Sequence, residues 1–116
     1  KTIEETLIYL CDRLKVDLIL TTGGTGFSLR DRTPEATLAV SDRLAPGISE
    51  AIRAYSMQIT NRAMLSRGVS VLRGQTLIIN LPGSPKAVKE SLDCILPALG
   101  HGLEILKGSA SECARP

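Results

Sequence analysis

The sequence has few aromatic residues, and its positive and negative charges nearly balance. Its 116 residues include no Trp, two Tyr and one Phe, and the formal net charge at pH 7 is +2. Proteins that hold single-stranded nucleic acid stack the bases on aromatic rings, and nucleic-acid-binding domains carry a marked excess of Lys and Arg. Both features are missing here, so nucleic acid is not expected as a partner.

Long apolar runs are missing as well. A membrane-spanning helix needs about 20 consecutive, mainly apolar residues, and no stretch of that kind occurs in the sequence. The first residues also lack the apolar core that a signal peptide carries. We therefore expect a protein with no membrane partner and a cytoplasmic location.

The three cysteines, Cys11, Cys94 and Cys113, form no recognisable framework. Their number is odd, they lie far apart, and no C-x-x-C pair occurs, so neither a disulfide scaffold nor a zinc site is indicated. Cys11 and Cys94 fall on apolar faces of predicted helices, which is typical of small core residues. The single histidine, His101, has no acidic or nucleophilic neighbour in the sequence and is predicted to lie at the surface.

The sequence does have the composition of an ordinary globular domain, with 43% hydrophobic and 22% charged residues, and its length predicts a single domain. Apolar residues at helical spacing alternate with short, nearly continuous apolar runs. This pattern indicates a sheet covered by helices on both faces, and hence the α/β class. The predicted elements are a helix over residues 3–15, a strand over 16–20, helices over 33–44 and 48–59, a connector over 61–67, hairpin strands over 69–72 and 76–80, and a helix from Pro85 that ends, or is followed by another, at Pro97.

Two details of that prediction concern how elements begin and how they are placed. Thr33 is predicted as the N-cap of the second helix, with Pro34 at its first position, and Ser84 is predicted to cap the helix that begins at Pro85. In the hairpin, the strand over 76–80 looks interior because of its apolar run. The strand over 69–72 is predicted to form the edge of the sheet.

The most informative segment is a glycine-rich turn, Thr21-Thr22-Gly23-Gly24-Thr25-Gly26, placed between a strand and a helix start. Glycines adopt positive φ and let backbone N–H groups crowd around an anion, while a helix N-terminus adds partial positive charge. The segment therefore predicts a phosphate cradle. Taken by itself, it would serve equally well as a plain turn.

A second loop, Leu81-Pro82-Gly83-Ser84-Pro85, repeats the strand-turn-helix arrangement. In open α/β sheets, ligands bind beyond the carboxyl ends of the strands, so the two loops are expected to outline one site. Neither loop matches the G-x-x-x-x-G-K-[ST] or the G-x-G-x-x-G pattern of common nucleotide-binding proteins. Ser84 and Pro85 would also make an adequate helix start with no ligand at all.

Five ordered motifs make the sequence similar to a known family. They are Thr21 to Phe27, Arg30-Asp31-x-Thr33-Pro34-Glu35-Ala36-Thr37, Pro46-Gly47, Met64-Leu65-Ser66-Arg67, and Leu81 to Pro85. In this order they closely resemble the MogA/MoaB family of molybdenum cofactor biosynthesis. The resemblance implies a three-layer α/β/α sandwich whose sheet is mostly parallel with an antiparallel edge hairpin. It also implies a molybdopterin-binding domain over residues 1–107, followed by a flexible tail over 108–116.

The resemblance further implies an enzyme, a molybdopterin adenylyltransferase. Such an enzyme uses ATP and Mg²⁺ to adenylylate molybdopterin, releases pyrophosphate, and hands its product to a metal-insertion protein of the MoeA type. The family usually assembles as a homotrimer. Molybdenum and tungsten cofactors cannot be distinguished from these residues, nor can the MogA and MoaB roles. A non-catalytic molybdopterin-binding or trimeric scaffold module remains the alternative.

The family motifs also imply roles for individual residues. Asp31 matches the catalytic acidic position and would bind or orient Mg²⁺, while Ser66 and Ser84 match positions that line the substrate site. The phosphate-binding positions are Thr22, Gly23, Gly24, Thr25 and Gly26 in the first loop and Pro82 and Gly83 in the second. On physical grounds we add three cations near the expected anions: Arg30, Arg67 and Lys86.

Simpler interpretations of these residues stay open. Asp31 could be a solvated acid paired with Arg30 or Arg32, and Ser66 could cap a local turn. The sequence also departs from the family pattern, because family members carry a preceding segment with a further parallel strand and a second acidic residue implicated in catalysis. We therefore expect the molybdopterin-binding domain to be incomplete at its N-terminus, which leaves the activity of the 116-residue chain on its own uncertain.

Overall fold

The computed structural model describes residues 2–108. Cys113 and the predicted tail beyond Gly108 lie outside these described residues. The elements are α1 (Thr2–Ile8), continued by a π-helical turn (Tyr9–Arg13), β1 (Leu18–Thr22), α2 (Thr33–Val40), β2 (Arg43–Leu44), α3 (Pro46–Met57), a 3-10 helix (Asn61–Leu65), β3 (Ser70–Arg73), β4 (Thr76–Leu81) and α4 (Pro85–Leu106).

The four strands form one sheet in the order β1-β4-β3-β2. β1 pairs with β4 in parallel, with Ile19 opposite Ile78, whereas β3 pairs antiparallel with both β4 and β2. The predicted α/β class and the antiparallel hairpin are confirmed. Within residues 2–108, parallel pairing is confined to β1 and β4, so this part of the sheet is mixed.

Helices cover both faces of the sheet, as expected for three layers. Side chains alternate along β4, so Ile78 packs on one face and Leu77 and Ile79 on the other. The first core cluster lies with α1 and α2 and consists of Leu7, Cys11, Ile19, Val40, Val71 and Ile78. The second lies with α3 and α4 and consists of Ile52, Leu77, Ile79, Leu81, Ile95 and Leu99. All six residues of β4 are buried, which places this strand at the centre of the domain.

Distant hydrogen bonds account for several of the boundaries that differ from the sequence prediction. β1 begins and ends two residues later than predicted, since Leu18 to Thr22 pair with Leu77 to Leu81. The second helix ends at Val40 rather than at residue 44, because the amides of Asp42 and Ala45 donate to the carbonyls of Leu72 and Ser70, at 2.8 and 3.0 Å. These bonds create β2, so the prediction that residues 69–72 form the edge of the sheet is wrong.

Other local features also differ from the sequence prediction. The predicted first helix changes to a π-helical turn at Tyr9, and Lys15, which follows, has φ 53°. The predicted connector contains a 3-10 helix. α4 continues through Pro97 instead of ending there.

The predictions for Cys11 and His101 are confirmed. Cys11 is buried in the first core cluster, and burial raises the pKa of its thiol. His101 is exposed. Cys94 is only half-buried, and its thiol donates to the Ala51 carbonyl, with a sulfur-to-oxygen distance of 3.6 Å.

Among residues 2–108, no helix has both the length and the apolar character needed to cross a membrane.

Candidate functional site

The glycine loop leaves the carboxyl end of β1 and runs to the start of α2. Gly23 and Gly24 have φ values of 82° and 71°, in the region that favours glycine. A Cβ on Gly24 would lie 2.2 Å from Thr33 Oγ1, and the Thr33 amide donates to the Gly24 carbonyl at 3.2 Å. The loop can therefore press against the first turn of α2 only because glycine occupies this position.

The two loops predicted to share a site do lie together. The Gly23 amide donates to the Leu81 carbonyl at 3.1 Å. A Cβ built on Gly83 would be 3.4 Å from the Gly23 Cα, so the backbones are nearly in contact. The parallel pairing of β1 and β4 brings their carboxyl ends to the same edge of the sheet, as the sequence predicted.

Asp31 follows this loop in a tight turn. Its amide donates to the Ser28 carbonyl at 2.9 Å, and its Oδ2 accepts from the Ser28 amide at 3.2 Å. The carboxylate is half-buried. Within residues 2–108, no ion pair joins Asp31 to Arg30 or Arg32, so the structure does not support the simple surface pairing considered from the sequence.

Arg67 holds the loop from the opposite side. Its amide donates to the Thr25 carbonyl at 2.7 Å, and its Nε donates to the Gly26 carbonyl at 2.7 Å. The two terminal nitrogens donate to the Asp31 carbonyl and to Glu35 Oε2, the latter at 2.6 Å. The guanidinium lowers the pKa of the Glu35 carboxyl. The structure thus places Arg67 among loop carbonyls and a carboxylate.

A first cavity of about 280 Å³ lies on one side of the loop. Four of the predicted site residues line it: Thr25, Gly26, Ser66 and Pro82. The remaining walls come mainly from α3, the 3-10 helix and α4: Ile52, Arg53, Ser56, Thr60, Arg62, Ala63, Leu65, Ala87 and Glu90. The walls are largely apolar, with two guanidinium groups among them.

A second cavity, also about 280 Å³, lies on the other side of the loop. It contains Asp31 and Arg67 together with Phe27, Ser28, Leu29, Arg32 and Glu35. Because Gly26 lines the first cavity and Phe27 the second, the loop forms the partition between them. The structure therefore divides the predicted site into an apolar side and a side rich in charged groups.

The serines have local roles in this structure. Ser84 Oγ accepts from the Ala87 amide at 3.1 Å, which confirms the predicted helix cap. Ser66 Oγ accepts from the Gly68 amide at 3.2 Å, so it supports a local turn while lining the first cavity. Thr33, by contrast, is the first residue of α2 and not its N-cap, because Arg32 occupies that position without a side-chain cap.

The other predicted residues lie near the two cavities without lining either one. They are Thr22, Gly23, Gly24, Arg30, Gly83, Ser84 and Lys86. Arg30 and Lys86 are exposed, and among the described residues neither one forms an ion pair.

Sequence reasoning missed Arg53 and gave Glu35 no role in the site. Arg53 donates from one nitrogen to the carbonyls of Ser66 and Gly68, at 3.3 and 2.9 Å, and lines the first cavity. For Arg53, the sequence showed only a cation beside the apolar residues of α3. Glu35 lies inside a family motif but looked like an ordinary acid in the first turn of a helix.

The residues present fit a Mg²⁺ ion only in combination with a substrate. No group of three His, Cys, Asp or Glu side chains among residues 2–108 could hold a metal. Mg²⁺ is often bound by one or two carboxylates together with waters and substrate phosphates. Asp31 is such a single carboxylate, since the bond from Ser28 uses only Oδ2.

Comparison with known proteins identifies the family of this chain. Residues 1–101 match the family described as "Probable molybdopterin binding domain". The chain is 44% identical over 107 residues to a molybdopterin adenylyltransferase of Helicobacter pylori strain J99, covering 92% of this chain and 61% of that protein. It is 52% identical over 99 residues to the molybdopterin adenylyltransferase of Escherichia coli K12, covering 85% and 51%. The chain thus spans only half to three fifths of the length of these curated relatives.

A solved structure extends the agreement to the fold. The molybdopterin biosynthesis enzyme MoaB of Thermus thermophilus superposes with a TM-score of 0.86 at 51% identity, over 92% of this chain and 67% of that one. The family match over residues 1–101 includes both loops, the residues that line both cavities and Asp31. The resemblance seen in the motifs is therefore confirmed, and the chain belongs to the family of molybdopterin-binding domains represented by MogA and MoaB.

Proposed function

We propose that this protein works in molybdenum cofactor biosynthesis as a molybdopterin adenylyltransferase. The observation that carries the proposal is the glycine loop between two cavities, with Asp31 on one side and an apolar pocket on the other. Two relatives at 44% and 52% identity bear the name of this activity. The substrates are molybdopterin and ATP, and the products are adenylylated molybdopterin and pyrophosphate.

The reaction joins two anions and needs no covalent nucleophile from the protein. An oxygen of the terminal phosphate of molybdopterin attacks the α-phosphorus of ATP, a new P–O bond forms, and the bond to the pyrophosphate oxygen breaks. Catalysis of phosphoryl and nucleotidyl transfer depends on positioning and charge stabilisation. The backbone amides of the glycine loop and the N-termini of α2 and α4 supply donors and partial positive charge.

We assign the two cavities to different parts of the substrates. The largely apolar first cavity suits a planar ring, of the pterin or of adenine. The second cavity suits phosphate groups, with Arg32 in its wall and Arg30 nearby. Mg²⁺, when bound, would neutralise phosphate charge there, and Asp31 is the side chain that would hold it.

Three further features belong to the same proposal. We expect the reaction with ATP and Mg²⁺ to take place in the cytoplasm. We also expect a homotrimer and a downstream metal-insertion protein of the MoeA type as partner. Light scattering on the purified protein tests the trimer directly.

The test of the function is pyrophosphate release from ATP in the presence of molybdopterin and Mg²⁺. We expect Asp31→Asn to lower the rate by about a hundredfold or more, the order seen when one preorganised electrostatic contact is removed. Asp93→Asn is the matched control, because Asp93 lies on α4 in an exposed pair with Lys89. Molybdopterin binding without turnover in the wild type would identify a non-catalytic module, and absence of both would refute the proposal.

A further inference from the structure

Arg67 is bonded, through both its backbone and its side chain, to the glycine loop and to the segment that follows the loop. Its amide and its guanidinium bond the carbonyls of Thr25, Gly26 and Asp31 and the carboxylate of Glu35. These acceptors belong to the segment that separates the two cavities and to the helix that follows it. The contacts thus close a ring around residues 25–35.

The chemistry of these contacts requires arginine. A guanidinium presents five N–H donors in a rigid, planar fork, whereas a lysine ammonium is a compact point charge on a flexible stem. Each of the three guanidinium nitrogens of Arg67, Nε and the two terminal ones, has its own acceptor. A lysine at this position keeps the charge but cannot reach all three acceptors at once.

Arg67 also links the loop to the first cavity. It directly follows Ser66, which lines that cavity and whose carbonyl is held by Arg53. The Arg67 side chain itself lines the second cavity. Residues 66 and 67 therefore contribute to both cavities, and Arg67 is bonded to the loop that separates them.

We propose that Arg67 is a positioning residue: it fixes the loop over residues 25–31 and thereby sets the place of Asp31 in the second cavity. This deepens the proposed function and rests on it. Arg67 then acts through the loop, without contacting the phosphates, although its charge suggested a direct phosphate ligand. A ligand in the first cavity stabilises the segment around Ser66. Through Arg67, the same ligand also favours the arrangement of Asp31 in the second cavity.

The decisive comparison is Arg67→Lys with Arg67→Gln, and Arg43→Lys, on the exposed edge strand β2, is the matched control. A misplacement of about 1 Å can cost about a hundredfold in rate. For a positioning residue, we therefore expect kcat to fall by at least about tenfold in both Arg67 variants, with the KM for ATP changed less than about twofold. A phosphate ligand predicts the opposite: near-normal kcat in Arg67→Lys and a raised KM for ATP in Arg67→Gln. That result would overturn the proposal.

A second measurement on the free protein separates this proposal from the proposed function. The amides of Ser28, Asp31 and Thr33 are hydrogen-bonded inside the loop, so their hydrogen exchange reports its stability. We expect exchange about tenfold faster in Arg67→Lys and unchanged in Arg43→Lys. Unchanged exchange in Arg67→Lys contradicts the positioning role. A wild type without pyrophosphate release refutes the proposed function, whatever the exchange shows.

Glu35→Gln keeps the proposal testable if the Arg67 variants fail to fold. It removes the charge of one acceptor and leaves the three bonds to backbone carbonyls in place. We expect a smaller rise in the same exchange rates and a fall in kcat of several-fold, with the KM for ATP unchanged. Wild-type exchange and wild-type kcat in Glu35→Gln would count against the closed ring of contacts.

Discussion

At the scale of single residues, Gly24 shows how the loop depends on the absence of a side chain. Its φ is 71°, and a Cβ would lie 2.2 Å from Thr33 Oγ1 and 3.2 Å from Thr33 Cβ. An alanine here therefore combines an unfavourable backbone conformation with a collision against the first turn of α2. Thr33 is buried and cannot move away freely.

We expect Gly24→Ala to lower the free energy of unfolding by about 1–3 kcal/mol, the range for residues held in sparsely populated backbone conformations. Urea denaturation measures the change. Gly100→Ala is the control, because Gly100 lies inside α4 and a Cβ there has no heavy atom within 4 Å apart from the neighbouring backbone of its own helix. This control should be neutral or stabilising by about 0.5–1 kcal/mol. An equal loss of unfolding free energy in both variants would show that the close approach of Gly24 to Thr33 does not explain the effect of Gly24→Ala.

At the scale of secondary structure, α4 contains a proline where the pattern predicted a break. Pro97 lies inside Pro85–Leu106, and its nitrogen has no hydrogen to donate to the carbonyl of the preceding turn. The helix nevertheless continues, because Ile95 and Leu99 on either side are buried in the second core cluster. Tertiary packing offsets the local cost of the proline.

Pro97→Ala is therefore expected to raise the free energy of unfolding by about 1–3 kcal/mol, since proline costs about 3 kcal/mol relative to alanine in a helix interior. Pro85→Ala is the matched control. Pro85 is the first residue of α4, where the amide would have no partner within the helix. We expect a change within about 0.5 kcal/mol for the control. A similar effect of both substitutions on thermal or urea unfolding would argue against this explanation.

Elements fixed by local pattern could be predicted from the sequence, and elements fixed by distant pairing could not. α3 forms over Pro46–Met57, close to the predicted range of 48–59, and Ser84 caps α4 as expected. β2 escaped prediction because its two residues, Arg43 and Leu44, form a strand through their pairing with Leu72 and Val71 of β3. Likewise, Thr21 and Thr22 looked like loop residues but extend β1 through their pairing with Asn80 and Leu81.

The same distinction applies to the candidate site. The glycine loop and Asp31 stand in one short stretch of sequence with a recognisable pattern, so they could be singled out as candidates. The contacts of Arg67 could not be predicted, because Gly26, Asp31 and Glu35 are 41, 36 and 32 residues away along the chain. The sequence showed a cation near the site, and only the fold shows which oxygens its N–H groups bond.

At the scale of the whole molecule, three ion pairs among the described residues connect segments that are far apart in the chain. Lys107 pairs with Asp17 at 2.8 Å, and the other two pairs involve arginine. Arg67 pairs with Glu35 at 2.6 Å. Arg73 pairs with Asp12, 61 residues away, through two bonds of 3.1 and 2.8 Å. Hydrogen bonds from these arginines lower the pKa of both carboxyls. Each arginine pair thus makes folding stability depend on pH.

A lowered pKa in the folded state fixes the sign of this dependence. The stabilisation is fully present above the pKa that each carboxyl has in the unfolded chain, ordinarily 4.5 for Glu35 and 3.8 for Asp12. It is lost as the pH falls through the lower values of the folded state. We therefore expect the midpoint of urea unfolding to fall as the pH is lowered from neutral to below the ordinary values of 4.5 and 3.8.

The variant Asp12→Asn isolates one of the two arginine pairs. It should be less stable than the wild type at pH 7, and the difference should shrink as acid protonates Asp12 in the wild type. High salt should reduce the difference at pH 7, because both partners are partly exposed and their attraction is screened. Glu50→Gln is the control, as Glu50 is an exposed residue of α3 and, among the described residues, has no ion pair. If the Asp12→Asn difference is constant from pH 7 to pH 2, the Asp12–Arg73 pair does not stabilise the fold, and the loss of stability in acid must come from other groups.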